Sequence, residues 1–288
     1  METLTTPAFN AAQYKQTTHD QWQAAAEAWY RWDPAINNWL GKATDEMIKM
    51  AGISTGNHVL DVAAGAGGQS VAVAKVVGPS GYVLASDLSP NILSFARRMA
   101  CEANMYNIET RVMDGEHLDC KDETFDAVIS RVGLIYFPNQ LQALREMHRV
   151  LKPGGKIAHI VYSTADKNSF FSIPVSIIRN RAKLPPPVPG QPGPFSLGAD
   201  GVIEKLYSEA GFKNNRSVKI NSPVRMASAK ECLQFEKDSF GALHQMMKNL
   251  SEEEKLSVWN EIEQQLTAFE KDKAFTGPCE MIVAVGEK

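Results

Sequence analysis

The chain has 288 residues, 44 % of them hydrophobic, which is enough to bury the core of one large domain or two small ones. Its 30 lysine and arginine residues nearly balance 33 aspartate and glutamate residues, so no net field favours nucleic acid or a membrane surface as a partner. The sequence has no run of about 18 apolar residues, no CxxC pair among its four cysteines and no basic-then-apolar leader, so we expect a cytoplasmic protein without a membrane span.

The first predicted elements are helices near the start of the chain, where tryptophan is concentrated. Three consecutive alanines at 24–26 favour a helix. A second helix is predicted from 34 to 50, because apolar side chains recur there at helical spacing and Gly52 supplies a stop. We interpret residues 1–52 as an N-terminal helical lid.

The next segment alternates short apolar runs with helical patterns. Strands are predicted at 58–62, 82–87, 108–113, 125–130 and 156–162, and helices at 68–77, from Ser89 onwards and at 139–151. Such alternation is typical of parallel strands joined by crossover helices. We therefore predict an α/β fold with a doubly wound, mostly parallel sheet, and residues 53–162 as its cofactor-binding half.

The pattern changes after residue 162. Residues 163–198 contain the stretch LPPPVPGQPGPFSLG and are interpreted as an ordered proline-rich insertion. Residues 199–288 are predicted to complete the sheet to seven strands. They would do so with a helix at about 199–210, strands near 216–222 and 279–286, and a helical insertion at about 227–276 that holds helices at 228–248 and 251–270.

The stretch VLDVAAGAGGQS, residues 59–70, places a carboxylate before a turn with almost no side chains. Small residues let a backbone approach a ligand, and the helix start after the turn offers unpaired N–H groups. A dinucleotide site would need a third glycine where Ser70 lies, and its pyrophosphate would be repelled by Asp61. A ligand with cationic ends, such as the sulfonium and ammonium of S-adenosylmethionine, would be attracted instead.

Two further acidic positions end the next predicted strands. Asp87 can accept hydrogen bonds from ribose hydroxyls, which any adenosine cofactor carries. Asp114, followed by Gly115 and Glu116, can face an adenine amino group. Because ligands of open sheets bind at the carboxyl ends of the strands, the three acidic positions are predicted to converge there.

Five motifs, taken in order, resemble those of one enzyme family: VLDVAAGAGG, LASDLSP, VMDGEHL, FDAVISR and REMHRVLKPGG. They are similar to the motifs of class I S-adenosylmethionine-dependent methyltransferases, with the nearest likeness to the type 11 branch of ubiquinone and menaquinone biosynthesis methyltransferases. The resemblance covers residues 55–162 closely and implies a Rossmann-like methyltransferase fold with S-adenosylmethionine as the cofactor. Methyl transfer itself requires no metal. In two places the chain departs from the family, since Ala63 stands where glycine is usual and Cys120 and Lys121 replace an apolar residue and a proline.

Carried over by position, the resemblance implies a set of cofactor contacts. The methionine end would be held by Asp61, Ala63, Gly65 and Gly67, the ribose by Asp87, and the adenine by Leu88, Asp114, Gly115 and Glu116. Arg131 and Val132 would line the methyl-donor end.

The acceptor site is expected mainly in the segments added to the sheet. Aromatic side chains suit an apolar or aromatic small molecule, and the predicted pocket residues are Tyr30, Trp32, Tyr136, Phe170, Phe171 and Phe240. If the acceptor is a hydroxyl or an acidic carbon, a general base helps, and the candidates are His19, His244 and Tyr14.

Three functional hypotheses remain open. The motifs favour methyl transfer to a small apolar or aromatic metabolite at carbon, oxygen or nitrogen. An NAD-type oxidoreductase is disfavoured by Asp61 and Ser70. A protein that binds S-adenosylmethionine without transferring the methyl group would carry the same motifs. Neither the acceptor nor the oligomeric state follows from these motifs, because they concern the cofactor alone.

Overall fold

Two helices begin the described part of the protein. The structure is a computed structural model that describes residues 9–186 and 190–288. The first helix, α1 (Ala11–Arg31), is capped by Asn10, whose Oδ1 accepts the Gln13 N–H at 3.0 Å. The second, α2 (Asp33–Met50), has a proline in its first turn, where the missing N–H costs nothing. Both helices lie where the alanine run and the apolar spacing predict them.

The middle of the chain alternates strands and helices as predicted. Its elements are β1 (His58–Val62), α3 (Gly68–Val77), β2 (Tyr82–Asp87), α4 (Pro90–Glu102), β3 (Ile108–Val112), β4 (Phe125–Arg131), α5 (Gln140–Val150) and β5 (Leu151–Tyr162). β5 begins at Leu151 rather than at the predicted 156, because Leu151 pairs with Phe125 ahead of an irregularity in the register. Ser89 caps α4 by accepting the Ile92 N–H at 3.1 Å.

The last part of the chain adds helices and two kinds of strand. Its elements are α6 (Ser169–Arg181), α7 (Val202–Glu209), β6 (Lys213–Asn221), β7 (Val224–Met226), α8 (Ala229–Ser239), α9 (Gly241–Met246), α10 (Glu252–Leu266), β8 (Glu270–Lys271), β9 (Ala274–Gly277) and β10 (Glu280–Glu287). The predicted helix at 228–248 is therefore two helices, and α10 ends before the predicted 270. Gly241 at the break lets the chain pass close to α1, since a Cβ atom there would lie 2.9 Å from the Cβ atom of Gln21.

The predicted proline-rich insertion is only partly described. Residues 187–189 lie outside the described residues, and α6 occupies an earlier part of the insertion. None of the helices within the described ranges has the length and apolar content that crossing a bilayer requires.

Seven of the described strands form one sheet in the order β3-β2-β1-β4-β5-β10-β6. β1 to β5 run parallel, and β10 inserts antiparallel between β5 and β6. This confirms the predicted doubly wound, mostly parallel seven-stranded sheet. A second sheet, β7-β9-β8, is not predicted from the sequence, because its strands are two to four residues long and too short to show a periodicity.

Helix α1 bridges the sheet domain and the C-terminal helices. The side-chain oxygen of Gln23 accepts the Asn91 N–H at 2.9 Å and the hydroxyl of Ser89, both at the start of α4. At the other end of α1, Trp29 Nε1 donates to the carbonyl oxygen of Ser239 at 3.0 Å. These contacts hold α1 over the carboxyl ends of the parallel strands, where ligands of such sheets bind.

Candidate functional site

A cleft opens at the carboxyl ends of the parallel strands, beneath α1 and α2. Its empty space, including the mouth, is about 1100 Å³. Most of the predicted cofactor residues line it, namely Ala63, Gly65, Asp87, Leu88, Asp114, Gly115, Arg131 and Val132. The structure thus brings the ends of β1, β2, β3 and β4 to one place, as the order of the motifs predicts. The individual roles of these residues stay predictions.

Asp61 is the main exception among the predicted cofactor residues, because its carboxylate lies behind the wall of the cleft. The side chain is fully buried. Its oxygens accept from Ser70 Oγ at 2.5 Å and from Gln69 Nε2 at 3.2 Å, both at the start of α3. Burial, opposed by these hydrogen bonds and by the charge of Arg131, raises the pKa of Asp61 to about 7. Asp61 therefore supports the glycine turn from within.

Two other predicted cofactor residues also lie outside the lining. Gly67 has φ +92°, and a Cβ atom there would come within 3.0 Å of the Cα atom of Ala96, so it lets α3 pack on α4. The buried carboxylate of Glu116 accepts the Asn139 N–H at 2.7 Å and also accepts from Lys15 Nζ.

Asp87, the predicted ribose ligand, lines the cleft at the end of β2. One oxygen of its carboxylate accepts the Gly65 N–H at 3.1 Å and the other accepts the Ser89 N–H at 3.0 Å. Burial raises the pKa of Asp87 and these backbone N–H groups oppose the rise. Because each carboxylate oxygen can accept two hydrogen bonds, one lone pair on each remains for a ligand.

A lysine from α1 reaches the part of the cleft that Asp114 lines. Lys15 Nζ lies 2.6 Å from an oxygen of Asp114 and 2.6 Å from an oxygen of Glu116. Burial alone would lower the pKa of Lys15, but the two carboxylates outweigh it and hold the pKa above its ordinary value. Asp114, Glu116 and His117 also bring three possible metal-ligand atoms within 4.8 Å of one another. The ammonium of Lys15 is shared by two of these three groups, Asp114 and Glu116.

Aromatic side chains form a second wall of the cleft. Trp22 packs edge-on against Tyr136 and Trp29, with ring centroids 5.6 and 5.4 Å apart, and Trp29 meets Phe240 at 6.2 Å. Of the predicted pocket residues, Tyr136 and Phe240 belong to this wall. Trp22 and Trp29 were recognisable from the sequence only as part of a tryptophan-rich segment, since helical spacing does not say which face points to a cavity.

The other predicted pocket residues lie elsewhere, which corrects the expectation. Tyr30 points outward and donates to the Glu102 carboxylate at 2.7 Å. Trp32 donates from Nε1 to Asp238 at 3.0 Å. Phe170 and Phe171 are fully buried in the hydrophobic core, where Phe171 packs behind Phe240 at 4.7 Å.

The structure also separates the three base candidates. His19 lines the cleft, and its Nδ1 lies 3.0 Å from an oxygen of Asp20. His244 lies outside it on the exposed side of α9, where Nε2 contacts the carbonyl oxygen of Lys237 at 2.8 Å. Tyr14 is not part of the lining, and burial raises its pKa to about 12, so it is a poor base near neutral pH.

Two opposite charges border the glycine turn, and only one of them was predicted from the sequence. Arg131 was predicted to line the methyl-donor end, whereas Asp33, at the start of α2, was not predicted. Burial lowers the pKa of Arg131 to about 10, and the nearby carboxylates of Asp61 and Asp33 oppose this. No motif could have revealed Asp33, because it reaches the cleft only through the docking of α2.

Ala63, which stands where the family usually has glycine, lowers the free energy of unfolding. Its φ is +56°, a left-handed conformation that costs a residue with a Cβ atom roughly 1–2 kcal/mol. Glycine loses about 0.4–1 kcal/mol more conformational entropy on folding, so we expect Ala63→Gly to raise the free energy of unfolding by up to about 1 kcal/mol. Ala64→Gly is the matched control and should lower it, because Ala64 is buried without a positive φ. Urea denaturation measures both, and equal losses in the two variants would contradict the strain at residue 63.

Comparison with known proteins finds a family model that matches the part of the chain around this cleft. Residues 39–175 match the ubiE/COQ5 methyltransferase family. The chain is 39 % identical over 115 residues to the demethylmenaquinone methyltransferase of Listeria monocytogenes, a match that covers 40 % of this chain and 48 % of the relative. The chain thus spans about half the length of the curated relatives it matches. The predicted resemblance to this family is confirmed over residues 39–175.

Solved structures agree on the fold. A protein of Bacillus halodurans C-125 aligns with a TM-score of 0.58 and 22 % identity over 86 % of this chain and 99 % of that chain. The [4+2]-cyclase SpnF aligns with a TM-score of 0.54 and 16 % identity over 92 % of this chain and 96 % of that chain. Since a cyclase shares the fold, the fold alone does not establish methyl transfer.

Proposed function

We propose that this chain, whose residues 39–175 match a methyltransferase family, transfers the methyl group of S-adenosylmethionine to a small aromatic acceptor of the quinol type. The observation that carries the proposal is one cleft in which a wall with Asp87, Leu88 and Asp114, called here the nucleoside wall, faces an aromatic wall. Residues of both walls line the same cleft, so a cofactor and an acceptor bound there would be neighbours.

The nucleoside wall has the hydrogen-bonding groups that the cofactor requires. Asp87 would hold the ribose hydroxyls with its remaining lone pairs, Leu88 would cover the adenine, and Asp114 would accept from the adenine amino group. When bound, S-adenosylmethionine supplies a methyl group on a positively charged sulfur. The protein's part is then to hold the acceptor in line and to exclude water.

The aromatic wall suits a flat acceptor next to a cation. The ring faces of Trp22, Tyr136 and Phe240 carry negative charge density, which attracts a sulfonium, and they give a planar ring a surface to stack on. Burial raises the pKa of Tyr136, so its hydroxyl stays protonated and can donate to an oxygen of the acceptor.

His19 is our candidate for removing a proton from the acceptor. Methylation of a phenolic hydroxyl or ring carbon releases one proton, and a base at the site speeds that step. The Asp20 oxygen near Nδ1 orients the ring, and Nε2 remains to accept the proton. The acceptor class is supported further by the Listeria relative, which is named for demethylmenaquinone.

The NAD-type alternative is disfavoured by the sheet. Dinucleotide-binding folds have the order 3-2-1-4-5-6, whereas here β10 is inserted antiparallel between β5 and β6. Binding without methyl transfer remains an outcome of the experiment below.

The proposal is tested by incubating the protein with methyl-labelled S-adenosylmethionine and a panel of reduced naphthoquinols, benzoquinols and catechols. We expect label in one aromatic product and its loss in Tyr136→Phe or His19→Gln. A protein that binds S-adenosylmethionine but transfers label to no aromatic compound is not the enzyme we propose, and tight binding of NADH alone would reinstate the oxidoreductase.

A further inference from the structure

Two opposite charges face each other across one glycine in the cleft. A Cβ atom on Gly68 would lie 2.8 Å from Asp33 Oδ1 and 3.2 Å from Arg131 Nη2. The two groups form no ion pair with each other in the described structure. A small space is therefore bounded by a carboxylate on one side and a guanidinium on the other, with the first residue of α3 as its floor.

Both groups have hydrogen-bonding capacity to spare. Asp33 Oδ2 accepts from Asn37 Nδ2 at 2.7 Å, and Oδ1 has no donor among the described residues. Arg131 donates from Nη1 to Thr44 Oγ1 at 3.3 Å, a long contact, and the rest of its guanidinium has no acceptor in the described ranges. A half-buried guanidinium with five N–H groups and one weak bond is suited to receive an anion.

Asp61 cannot supply a free carboxylate to a ligand in this space. Its two oxygens are bound by Gln69 and Ser70, and the carboxylate does not line the cleft. A ligand with a positive group beside the glycine turn therefore finds its carboxylate in Asp33, which comes from a different element of the chain.

We propose that Asp33 and Arg131 together bind an α-amino acid group, Asp33 taking its ammonium and Arg131 its carboxylate. This rests on the proposed function, since that group is the methionine end of the cofactor. A guanidinium can bind a carboxylate through two parallel hydrogen bonds. The absence of a side chain at Gly68 lets both groups approach the start of α3, and the cleft that they line lies beside them.

With Asp33 and Arg131 in these roles, cofactor recognition depends on the docking of the N-terminal helices. Asp33 belongs to α2 and Arg131 to the end of β4, so the amino-acid site is complete only with α2 in place. The nucleoside residues lie on the sheet domain and do not need α2. The protein would accordingly select ligands that carry the amino-acid end over nucleosides that lack it.

The test compares two ligands that differ in that end. S-adenosylhomocysteine carries the amino acid, and 5′-methylthioadenosine has the same nucleoside without it. By calorimetry, Asp33→Asn and Arg131→Gln should each weaken S-adenosylhomocysteine about 10- to 100-fold, the range for a lost charge-assisted hydrogen bond, and change methylthioadenosine less than about threefold. Binding of methylthioadenosine also shows that each variant is folded.

Asp61→Asn is the control that separates this assignment from the one the sequence suggests. It should lower the ratio of the two affinities less than Asp33→Asn and Arg131→Gln do, because the carboxylate of Asp61 does not line the cleft and can act only through the turn. The assignment is overturned if Asp61→Asn lowers the ratio while Asp33→Asn and Arg131→Gln do not. If the wild type binds neither adenosine ligand, the proposed function fails first, so the two failures are distinguishable.

Discussion

Replacing Asp87 by alanine is expected to weaken S-adenosylmethionine binding by at least about 100-fold. The carboxylate would accept two ribose hydroxyls, and hydrogen bonds to a charged group are each worth about 1.5–3 kcal/mol. The change also leaves the Gly65 N–H and Ser89 N–H without their acceptor, which disorders the turn beneath the methionine end. Both effects act in the same direction.

Calorimetric titration of the variant with S-adenosylhomocysteine measures this loss. The matched control is Ser89→Ala, which removes the α4 cap and costs about 1 kcal/mol of stability while leaving the carboxylate at position 87. Similar affinity losses in the two variants would mean that Asp87 acts only through the fold. Unchanged affinity in Asp87→Ala would remove it from the site.

The second large effect concerns Glu236 on α8, whose side chain is fully buried. Its Oε1 has only a weak contact with Cys232 Sγ at 3.9 Å, and Oε2 has no partner in the described structure. Burial raises the pKa of Glu236 well above its ordinary 4.5, so the folded protein holds a neutral carboxyl there. The unfolded chain ionises above pH 4.5, and the folded state therefore loses stability as pH rises.

Glu236→Gln keeps the shape of the side chain and removes the titration. The variant should match the wild type near pH 4 and exceed it at higher pH, by about 1.4 kcal/mol for each pH unit above 4.5 until the folded carboxyl itself ionises. Denaturation in urea from pH 4 to 8 measures the gap. Glu27→Gln, at an exposed position on α1, should show no such slope. A variant less stable than the wild type at pH 8 would show that Glu236 is charged and paired.

The sequence predictions were correct for features that depend on neighbouring residues and wrong where contacts between distant segments decide. The glycine turn, the ends of β2 and β3 and the strand positions follow from short patterns, because a strand and its following turn determine each other. The two helices at 228–248 were predicted as one, since apolar spacing continues across Phe240 and only the contact of Gly241 with α1 requires the break.

The acidic positions show that a local pattern predicts where a residue lies but not where its side chain points. Asp61, Asp87 and Asp114 were all found from their places in or directly after strands, yet the carboxylate of Asp61 turns away from the cleft and accepts from the side chains of Gln69 and Ser70. Asp33, which is 28 positions earlier in the sequence, lines the cleft instead. The direction of a side chain depends on which neighbours can satisfy it, and those neighbours come from distant segments.

The sequence by itself determined the α/β class and the parallel strands, because periodicity is a property of neighbouring residues, and its motifs indicated the cofactor class by resemblance. Only the tertiary structure decided which aromatic and charged side chains share the cleft. Helix α1 brings Lys15, His19, Trp22 and Trp29 to the cleft, whereas Tyr30 on the same helix faces α4 and Phe170 and Phe171 enter the core. An apolar face is the same in sequence whether it meets a core or a cavity, so only packing separates the two.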